Sequence, residues 1–265
     1  MTISGQKYAL ITGAASGIGR EYARQLAAKG YSPVLADRAE AVEAAAQEIA
    51  AEYGVEALPL RVDLAEPDAA GRIFAGTEER GIHIDVLVCN AGVLLFGELA
   101  SASPQAVGRI ISLHCTVTSQ LCCLYAGQMQ RRGCGGHILL MSSATAWTPY
   151  PTIAAYSATK AYLKTFGRAL HDELADRDIR VTTVFPGAVD TPFYRLGDAW
   201  RRRFIRWGVM STPQEVARRG LNALFRGRKR CIPGVFTRLC VWGSRLVPDW
   251  AVRAAFRSPF VQRRL

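Results

Sequence analysis

The stretch YALITGAASGIG, residues 8–19, decides the fold of this chain. Residues 8–12 form a short apolar run, and a glycine-rich turn leads from it into residues 19–29, which have helical periodicity. A strand that passes through such a turn into a helix presents backbone N–H groups and the positive end of the helix dipole. The pattern predicts a pyrophosphate-binding turn, with a tight turn that binds no ligand as the alternative. Its candidate contacts are Gly13, Ser16, Gly17, Ile18 and Gly19.

Short apolar runs alternate with helical segments, such as residues 39–53, along the rest of the chain. The further runs are residues 33–36, 57–62, 86–89, 137–141, 181–185 and, as a candidate seventh strand, 230–233. Because these runs are apolar on both faces, they indicate parallel strands covered by helices on both sides. We therefore predict an α/β fold, with residues 1–265 in one doubly wound Rossmann-like domain around a parallel seven-stranded sheet.

Composition limits the class of protein. Hydrophobic residues are 49% and charged residues 21% of the 265, which is an ordinary globular balance. Residues 8–11 run straight into the glycine-rich turn, so no secretory signal is expected there. No run of 18 apolar residues occurs, so no membrane-spanning helix is expected. The seven cysteines include no C-x-x-C pair, which disfavours disulfides and a metal site and favours a cytoplasmic protein.

The second predicted strand ends at Asp37, 24 residues after Gly13. A carboxylate at this distance is expected to bind the ribose hydroxyls of adenosine and to repel a 2′-phosphate. Arg38 follows directly, and a guanidinium there could accept a 2′-phosphate. We expect both residues to contact the cofactor, with NAD preferred and NADP as the alternative.

Tyr156 and Lys160 lie one turn apart in residues 156–170, a segment with helical periodicity. A tyrosine normally has a pKa of about 10, and a cation one turn away lowers it towards working pH. Ser143 follows the predicted strand 137–141, at the sheet edge where ligands of this architecture bind. Together these residues indicate general acid–base chemistry, although such a pair and such a serine also occur singly without function.

Five motifs follow one another along the chain: Thr12-Gly13-x-x-x-Gly17-x-Gly19, Asn90-Ala91-Gly92, Ser143, Tyr156-x-x-x-Lys160, and Pro186-Gly187 with Thr191. In this order they resemble the short-chain dehydrogenase/reductase family, over about residues 5–195. The resemblance implies an oxidoreductase that moves a hydride between NAD(P) and a carbonyl or secondary alcohol. By analogy with the family, we expect a homodimer or homotetramer.

The resemblance also implies a role for each motif residue. Tyr156 would be the general acid/base for the substrate oxygen, and Ser143 would hydrogen-bond the substrate carbonyl. Lys160 would hold the nicotinamide ribose and lower the pKa of Tyr156. The other implied cofactor contacts are Asp63 and Leu64 at the adenine, Asn90, Ala91 and Gly92 along the pocket, and Pro186, Gly187, Val189 and Thr191 near the carboxamide.

One position departs from the family's pattern. Aligning residues 112–116 with the segment that usually carries a proton-relay asparagine places His114 at the asparagine. His114 is therefore a candidate catalytic residue, because an imidazole can donate and accept a proton and titrates between about pH 5 and 8. A packed helix residue without a catalytic role, and a weakened relay with low turnover, are the alternatives.

Aromatic residues follow both Ser143 and Thr191. Trp147 and Tyr150 lie near the expected reaction centre. The predicted substrate lid, residues 192–225, contains Phe193, Tyr194, Trp200, Phe204 and Trp207. Aromatic residues that line a cleft indicate an apolar substrate such as a lipid, a steroid or an aryl ketone. Packing of the lid onto the body is the alternative.

The net charge of +11 is concentrated at one end of the chain. Residues 1–190 hold 16 Lys and Arg against 19 Asp and Glu, whereas residues 191–265 hold 17 against 3. Residues 235–265, a predicted basic amphipathic extension, interleave arginines with Trp242, Leu246, Trp250 and Phe256. Three explanations stay open: an anionic membrane surface, a solvated or subunit-packing face, and a site for an anionic substrate group. Nucleic acid is not an expected partner.

Two functions of different classes follow from these observations. The first is an NAD(P)-dependent oxidoreductase that acts on an apolar substrate. The second is a nucleotide-binding scaffold or regulator with little catalysis, docked at a membrane surface. The intact Tyr156, Lys160 and Ser143 favour the enzyme, whereas His114 and the basic extension leave room for the scaffold.

Overall fold

Seven parallel strands form one sheet in the computed structural model, which describes residues 5–147, 150–190, 203, 205–244, 247 and 252. In chain order the strands are β1 (Lys7–Thr12), β2 (Tyr31–Asp37), β3 (Leu58–Arg61), β4 (Ile84–Cys89), β5 (Gly136–Met141), β6 (Ile179–Val184), β7 (Ala188–Val189), β8 (Met210–Ser211) and β9 (Arg230–Cys231). β7 pairs with β8, and the other strands have the spatial order β3-β2-β1-β4-β5-β6-β9. The direction of the strand order reverses between β1 and β4, which opens a ligand-binding crevice at their carboxyl ends.

Helices cover both faces of the sheet. They are α1 (Gly17–Ala27), α2 (Ala41–Tyr53), α3 (Ala69–Glu78), α4 (Pro104–Ile111), α5 (Val117–Arg132), α6 (Ala154–Leu174), α7 (Pro213–Phe225) and α8 (Val235–Ser244). Side chains of β1 alternate between two cores: Ala9 and Ile11 pack with α1, α2 and α7, whereas Leu10 packs with α3 and α5. Burial on both faces explains why the strands are continuous apolar runs in the sequence.

The predicted α/β fold with its parallel seven-stranded sheet is confirmed. The seventh strand, predicted over residues 230–233, pairs with β6 only over Arg230–Cys231. α6 begins before Tyr156 and ends at Leu174, so it is longer than the predicted segment 156–170. Such differences concern the ends of elements, where tertiary contacts and caps rather than hydrophobic periodicity set the boundary.

The predicted lid, residues 192–225, includes all of α7. Val216 and Leu221 of this helix are fully buried in the core that also contains α1. Residues 213–225 therefore belong to the body of the fold, and a lid stays a prediction for the residues before α7. Several residues named in the sequence predictions lie outside the described residues. They are Thr191, a predicted cofactor contact, and the lid and extension residues Phe193, Tyr194, Trp200, Phe204, Leu246, Trp250 and Phe256.

One helix in the described part of the chain is, by length and composition, apolar enough to cross a membrane. It spans Pro104–Arg132, and half of its most apolar window is buried. Polar residues such as Gln120 interrupt the apolar run, but the mean hydropathy of the helix stays high. Because Leu121 and Tyr125 pack in the core, and core helices often meet the same criterion, this is weak evidence for a membrane span.

Candidate active site

The glycine-rich turn lies against the end of β4. Gly13 and Gly17 have φ of +67° and +56°, in the left-handed region that favours glycine. A Cβ at Gly13 would lie 2.9 Å from the Cα of Ala91, and one at Gly19 would overlap the carbonyl oxygen of Gly13. Only glycine fits these positions, and the backbone of the turn is therefore accessible for close approach by a ligand.

The Thr12 hydroxyl joins the two halves of this region. Its Oγ1 accepts hydrogen bonds from the backbone N–H of Asn90 at 2.9 Å and of Ala91 at 3.0 Å. In return, Nδ2 of Asn90 donates to the carbonyl oxygen of Thr12 at 3.0 Å. These bonds place the Asn90-Ala91-Gly92 turn beside the glycine-rich turn. Its predicted contact with the cofactor stays a prediction. The bridging role of Thr12 has no signal in the sequence beyond its place before Gly13.

The geometry of the turn fits a dinucleotide. α1 begins at Gly17, the side chain of Ser16 makes no capping hydrogen bond, and the first turn carries no acidic residue. The positive end of the helix dipole is thus available to an anion such as a pyrophosphate. The Asp37 carboxylate accepts from the backbone N–H of Ala15 and of Ala39, both at 3.0 Å. It therefore lies at the edge of the turn, where a ribose would sit, and Arg38 beside it is exposed.

Asp63 and Leu64 follow β3 at the far side of the crevice. Leu64 is buried, and the carboxylate of Asp63 accepts from Arg109 Nη2 at 2.6 Å and from the Ala65 N–H at 3.0 Å. Burial alone would raise the pKa of Asp63, but the hydrogen bond from Arg109 and that from Ala65 outweigh it and lower the pKa. The carboxylate of Asp63 is therefore charged and held in place at the edge of the predicted adenine site. The sequence did not indicate a role for Arg109, because its contact is with Asp63, which lies far away along the chain.

Lys160 links α6 to the carboxyl end of β5. Its Nζ donates to the carbonyl oxygen of Met141 at 2.9 Å, and Oγ of Ser142 donates to the carbonyl oxygen of Lys160 at 2.7 Å. Nζ also lies 5.5 Å from the centre of the half-buried Tyr156 ring. Burial lowers the pKa of Lys160 to about 8. The predicted Tyr156 and Lys160 pair is thus brought together at the end of β5, next to Ser143.

Ser143 caps a short 3-10 helix, Ala144–Ala146. Its Oγ accepts from the Thr145 N–H at 3.2 Å, and the neighbouring Ala144 N–H donates to the carbonyl oxygen of Pro186 at 2.9 Å. This bond uses a lone pair of Oγ, and it leaves the hydroxyl proton able to donate to a ligand. The second bond places the Pro186-Gly187 motif beside the serine. A contact of this motif with the carboxamide stays a prediction.

His114 lies in a π-helix, Ser112–Thr116, between α4 and α5. Its Nε2 accepts from the Val93 N–H at 3.0 Å, so the ring proton is on Nδ1, which donates to Oγ1 of Thr159 at 2.8 Å. Oγ1 of Thr159 in turn donates to the carbonyl oxygen of Tyr156 at 2.8 Å. This neutral chain of hydrogen bonds joins the Asn90-Ala91-Gly92 turn to the helix that carries Tyr156. Thr159 was missed because its role depends entirely on this contact.

The protonation of His114 differs from the sequence expectation. Burial, together with the charge of Lys160, lowers its pKa to about 2. The expected titration between pH 5 and 8 is therefore wrong, because a buried ring with both nitrogens engaged favours its neutral form. The ring also contacts Tyr156 edge-on, with 5.8 Å between ring centres. This geometry favours a role in positioning over a proton relay.

A cleft of about 220 Å³ lies beside the first turn of α6. Its wall combines apolar and polar side chains. Leu95, Phe96, Leu99, Ala154 and Ala155, the last directly before Tyr156, are apolar, and Glu98, Ser101 and Thr152 are polar. Residues 95–102 had no signal in the sequence, because they become a wall only when the chain folds back onto α6. The cleft offers a space in which a substrate could lie against the Tyr156 helix.

Of the aromatic residues that follow Ser143, Trp147 packs on the body of the fold and Tyr150 is exposed. The Trp147 ring packs on Phe185 with 4.3 Å between ring centres, and Nζ of Lys164 lies 5.2 Å from the Trp147 ring centre. Trp147 therefore packs onto the body of the fold, which was the alternative to lining the cleft. Tyr150 is exposed, as is Trp207 in the part of the predicted lid that the structure describes.

Comparison with known proteins gives matches over most of the chain. The family model for short chain dehydrogenases matches residues 7–201. Probable oxidoreductase EphD of Mycobacterium tuberculosis is 34% identical over 186 residues, which are 68% of this chain. The chain spans 31% of the length of EphD. Versicolorin reductase 1 of Aspergillus parasiticus is 32% identical over 213 residues, which are 79% of this chain and 79% of the reductase.

Solved structures agree with these matches. A short-chain dehydrogenase from Sphingobium yanoikuyae in complex with NADPH has a TM-score of 0.77 and 27% sequence identity. The match covers 91% of this chain and 94% of the other. The glycine-rich turn, Ser143, Tyr156 and Lys160 all lie within the region matched by the family model. The chain therefore belongs to the short-chain dehydrogenase/reductase family of NAD(P)-dependent oxidoreductases.

Proposed function

We propose that the chain transfers a hydride between a nicotinamide dinucleotide and a carbonyl or secondary alcohol of an apolar substrate. One observation carries this proposal above the others. The buried Lys160 lies under the Tyr156 ring, at the end of the strand that leads to Ser143. Burying an ammonium is costly, so a fold that places one beside a tyrosine in a ligand-binding crevice points to acid–base chemistry.

The cofactor would be held by residues on both sides of the crevice. α1 and the turn from Gly13 to Gly19 would bind its pyrophosphate, Asp37 its adenosine ribose, and Lys160 its nicotinamide ribose. When bound, the nicotinamide supplies or accepts the hydride. These roles agree with the close approach that the glycines allow and with the side chains that face the same edge of the sheet.

The chain's own residues would manage the proton. The phenol oxygen of Tyr156 would donate a proton to the substrate oxygen during reduction and take it back during oxidation. The ammonium of Lys160 favours the phenolate form, because an opposite charge lowers the pKa of the tyrosine. The Ser143 hydroxyl, held by the Thr145 N–H, would donate a hydrogen bond to the same substrate oxygen. His114 would act through Thr159, by fixing the backbone at Tyr156.

We further propose NAD as the preferred cofactor. The Asp37 carboxylate is fixed by two backbone N–H groups, so it cannot easily move away from a 2′-phosphate. Arg38 is exposed and could pair with such a phosphate, which keeps NADP as the alternative. We favour NAD because two backbone hydrogen bonds hold the Asp37 carboxylate in place.

An apolar substrate is supported by the apolar side chains in the cleft beside α6. Leu95, Phe96 and Leu99 line it together with polar groups of Glu98, Ser101 and Thr152, and ligand sites commonly combine an apolar lining with a few polar groups that orient the ligand. The name of the relative versicolorin reductase 1 agrees with a reductase activity. Steroids, aryl ketones and lipid ketones are the substrate classes that such a wall would accept.

Steady-state assays test this function directly. The purified chain would be incubated with a panel of apolar and polar ketones and secondary alcohols, each with NADH or NADPH or their oxidised forms. We expect turnover with apolar members of the panel and a lower KM for NAD(H). Tight binding of a dinucleotide without turnover of any member would support the alternative, a scaffold or regulator with little catalysis.

A further inference from the structure

The last described helix, α8, has an apolar outer surface. Its Thr237 and Val241 are buried against the body of the fold. On the opposite side, Val235 is 66%, Phe236 44%, Leu239 62% and Trp242 67% exposed. We call these four residues the α8 face. Val235, Leu239 and Trp242 follow the i, i+4, i+7 spacing of a single helical stripe. Single exposed apolar residues are ordinary on protein surfaces, whereas a contiguous stripe of large ones marks an interaction site.

Basic residues surround the start of α8. Nε of Arg238 donates to the carbonyl oxygen of Ile232 at 3.0 Å, which places this guanidinium at the helix start. Burial raises the pKa of Cys231 to about 11, and the nearby charges of Arg238, Arg219 and Arg228 oppose the rise. In the described residues from 203 onwards, nine are Lys or Arg and only Glu215 is acidic. The segment that carries α8 is therefore strongly basic in composition, and Arg238, Arg219 and Arg228 lie near the start of the helix, with Arg219 paired to Glu215.

We propose that the α8 face docks onto an anionic lipid bilayer. A bilayer offers both properties that the surface requires: a negative surface potential for the arginines, and an apolar interior for Leu239, Phe236 and Trp242. Tryptophan is well suited to this boundary, because its ring is apolar and its N–H is polar. The extension beyond α8 continues the same composition, since residues 245–265 add five arginines and one acidic residue.

Charge argues against a second copy of this chain as the occupant. In a two-fold symmetric dimer the same patch of both subunits meets itself. The arginines around α8 would then face their own copies, and like charges at an interface are unfavourable. The body of the chain is close to neutral, with 16 basic and 19 acidic residues in residues 1–190, so it offers little complementary charge. An anionic bilayer is the partner that satisfies both the apolar stripe and its basic surroundings.

Docking through α8 would also bring the candidate active site close to the bilayer. A Cβ at Gly187 would lie 2.5 Å from Oγ1 of Thr237, so α8 packs directly on the Pro186-Gly187 motif. That motif is hydrogen-bonded to the segment of Ser143 through the Ala144 N–H. The docking proposal does not depend on the proposed reaction, because it rests on the surface of α8 alone.

Vesicle co-sedimentation of the full chain tests the proposal. The vesicles are phosphatidylcholine alone, or phosphatidylcholine with phosphatidylglycerol, at low and at high salt. We expect binding only to the anionic vesicles, with release by high salt, because salt screens charge beyond about 8 Å at physiological ionic strength. A variant with Leu239→Ser and Trp242→Ser should bind at least about tenfold more weakly, because it loses the apolar contribution.

The matched control is Ile111→Ser, which removes an exposed aliphatic residue from α4. It should bind like the wild type. Leu239→Ser and Trp242→Ser as single variants should each weaken binding, and unchanged thermal unfolding shows that each variant is folded. No binding of the wild type to anionic vesicles at low salt would overturn the proposal, as would equal binding by the double variant. Equally, if the double variant sediments as a smaller species than the wild type without lipid, the face is a subunit interface and the proposal fails.

Discussion

Lys160 combines a functional requirement with a cost in stability. Its pKa falls from 10.5 to about 8 on burial, a difference that corresponds to about 3 kcal/mol. The folded form binds protons less tightly than the unfolded form, so below pH 8 the full penalty is present, and stability rises with pH between about 8 and 10.5. The hydrogen bond to Met141 contributes only about 1 kcal/mol in return. The buried charge is therefore kept for the chemistry and not for the fold.

We predict that Lys160→Met abolishes turnover without lowering stability at pH 7. Methionine fills a similar volume and removes the buried charge, so the free energy of unfolding should stay equal or increase. Turnover should fall by about a hundredfold or more. Denaturant unfolding and steady-state rates measured on the same preparation check both parts. A variant that is several kcal/mol less stable than the wild type would show that Lys160 is mainly structural.

His114 should make the fold sensitive to acid. Its pKa of about 2 lies below the value of 6.5 that an exposed histidine has. Between these values the unfolded chain binds a proton that the folded chain does not, so stability falls as the pH falls. We predict that the wild type loses about 2 kcal/mol more than His114→Asn when the pH falls from about 7 to 5. Urea unfolding at the two pH values measures this difference.

The same pair of proteins separates positioning from a proton relay. An imidazole that stays neutral adds no ionisation to the pH profile of kcat between pH 5 and 8, so His114→Asn should leave the shape of that profile unchanged. Thr159→Val removes the next bond in the chain and should reduce kcat more than it raises KM, because it loosens the Tyr156 backbone. A profile that loses an ionisation near pH 6 to 7 in His114→Asn would contradict the neutral assignment.

Among the elements, the glycine-rich turn and β2 together set the cofactor preference. Asp37→Asn keeps an oxygen for the N–H of Ala15 and removes the negative charge. We predict that the ratio of NADP to NAD affinity rises by at least about tenfold in this variant, because the repulsion of a 2′-phosphate is lost. Titration of each dinucleotide, followed by fluorescence, gives both dissociation constants. A wild type that binds NADP ten times more tightly than NAD would contradict the proposed role of Asp37.

Some elements could be predicted from the sequence and others could not. β1, β4 and β5 are buried on both faces, so each is a continuous apolar run that stands out between polar segments. The π-helix Ser112–Thr116 has no such pattern. It inserts one residue into a helix whose flanking sequence gives no signal of the insertion. The wall formed by residues 95–102 was also missed. It depends on a contact with α6, more than 50 residues later in the chain.

The candidate site shows the same division. Ser143, Tyr156 and Lys160 could be located because their spacing relative to a strand and a helix turn has direct chemical meaning. Arg109 and Thr159 could not, since each acts through one side-chain bond to a residue far away in the sequence. The protonation of His114 was predicted wrongly because burial, which decides it, cannot be seen at a single position of the sequence.

For the whole molecule, charge and chemistry are separated along the chain. The cofactor motifs and Tyr156 lie in residues 1–190, which carry slightly more acidic than basic residues. Residues 191–265 carry 17 basic residues against 3 acidic ones, and they include the exposed α8 face. A balanced body would hold the cofactor and a basic end would meet the bilayer. The two functions can therefore be tested by different variants of the same chain.

Tyr156→Phe is the variant that tests whether Tyr156 exchanges a proton with the substrate oxygen. Phenylalanine keeps the ring that contacts His114 and lies near Lys160, and it removes only the hydroxyl. The measurement is the rate of carbonyl reduction at saturating cofactor, beside the cofactor dissociation constant of the same variant. We expect the rate to fall by about a hundredfold or more while the dissociation constant stays unchanged, because only the hydroxyl that exchanges the proton is removed. A variant that retains more than half of the wild-type rate would contradict it.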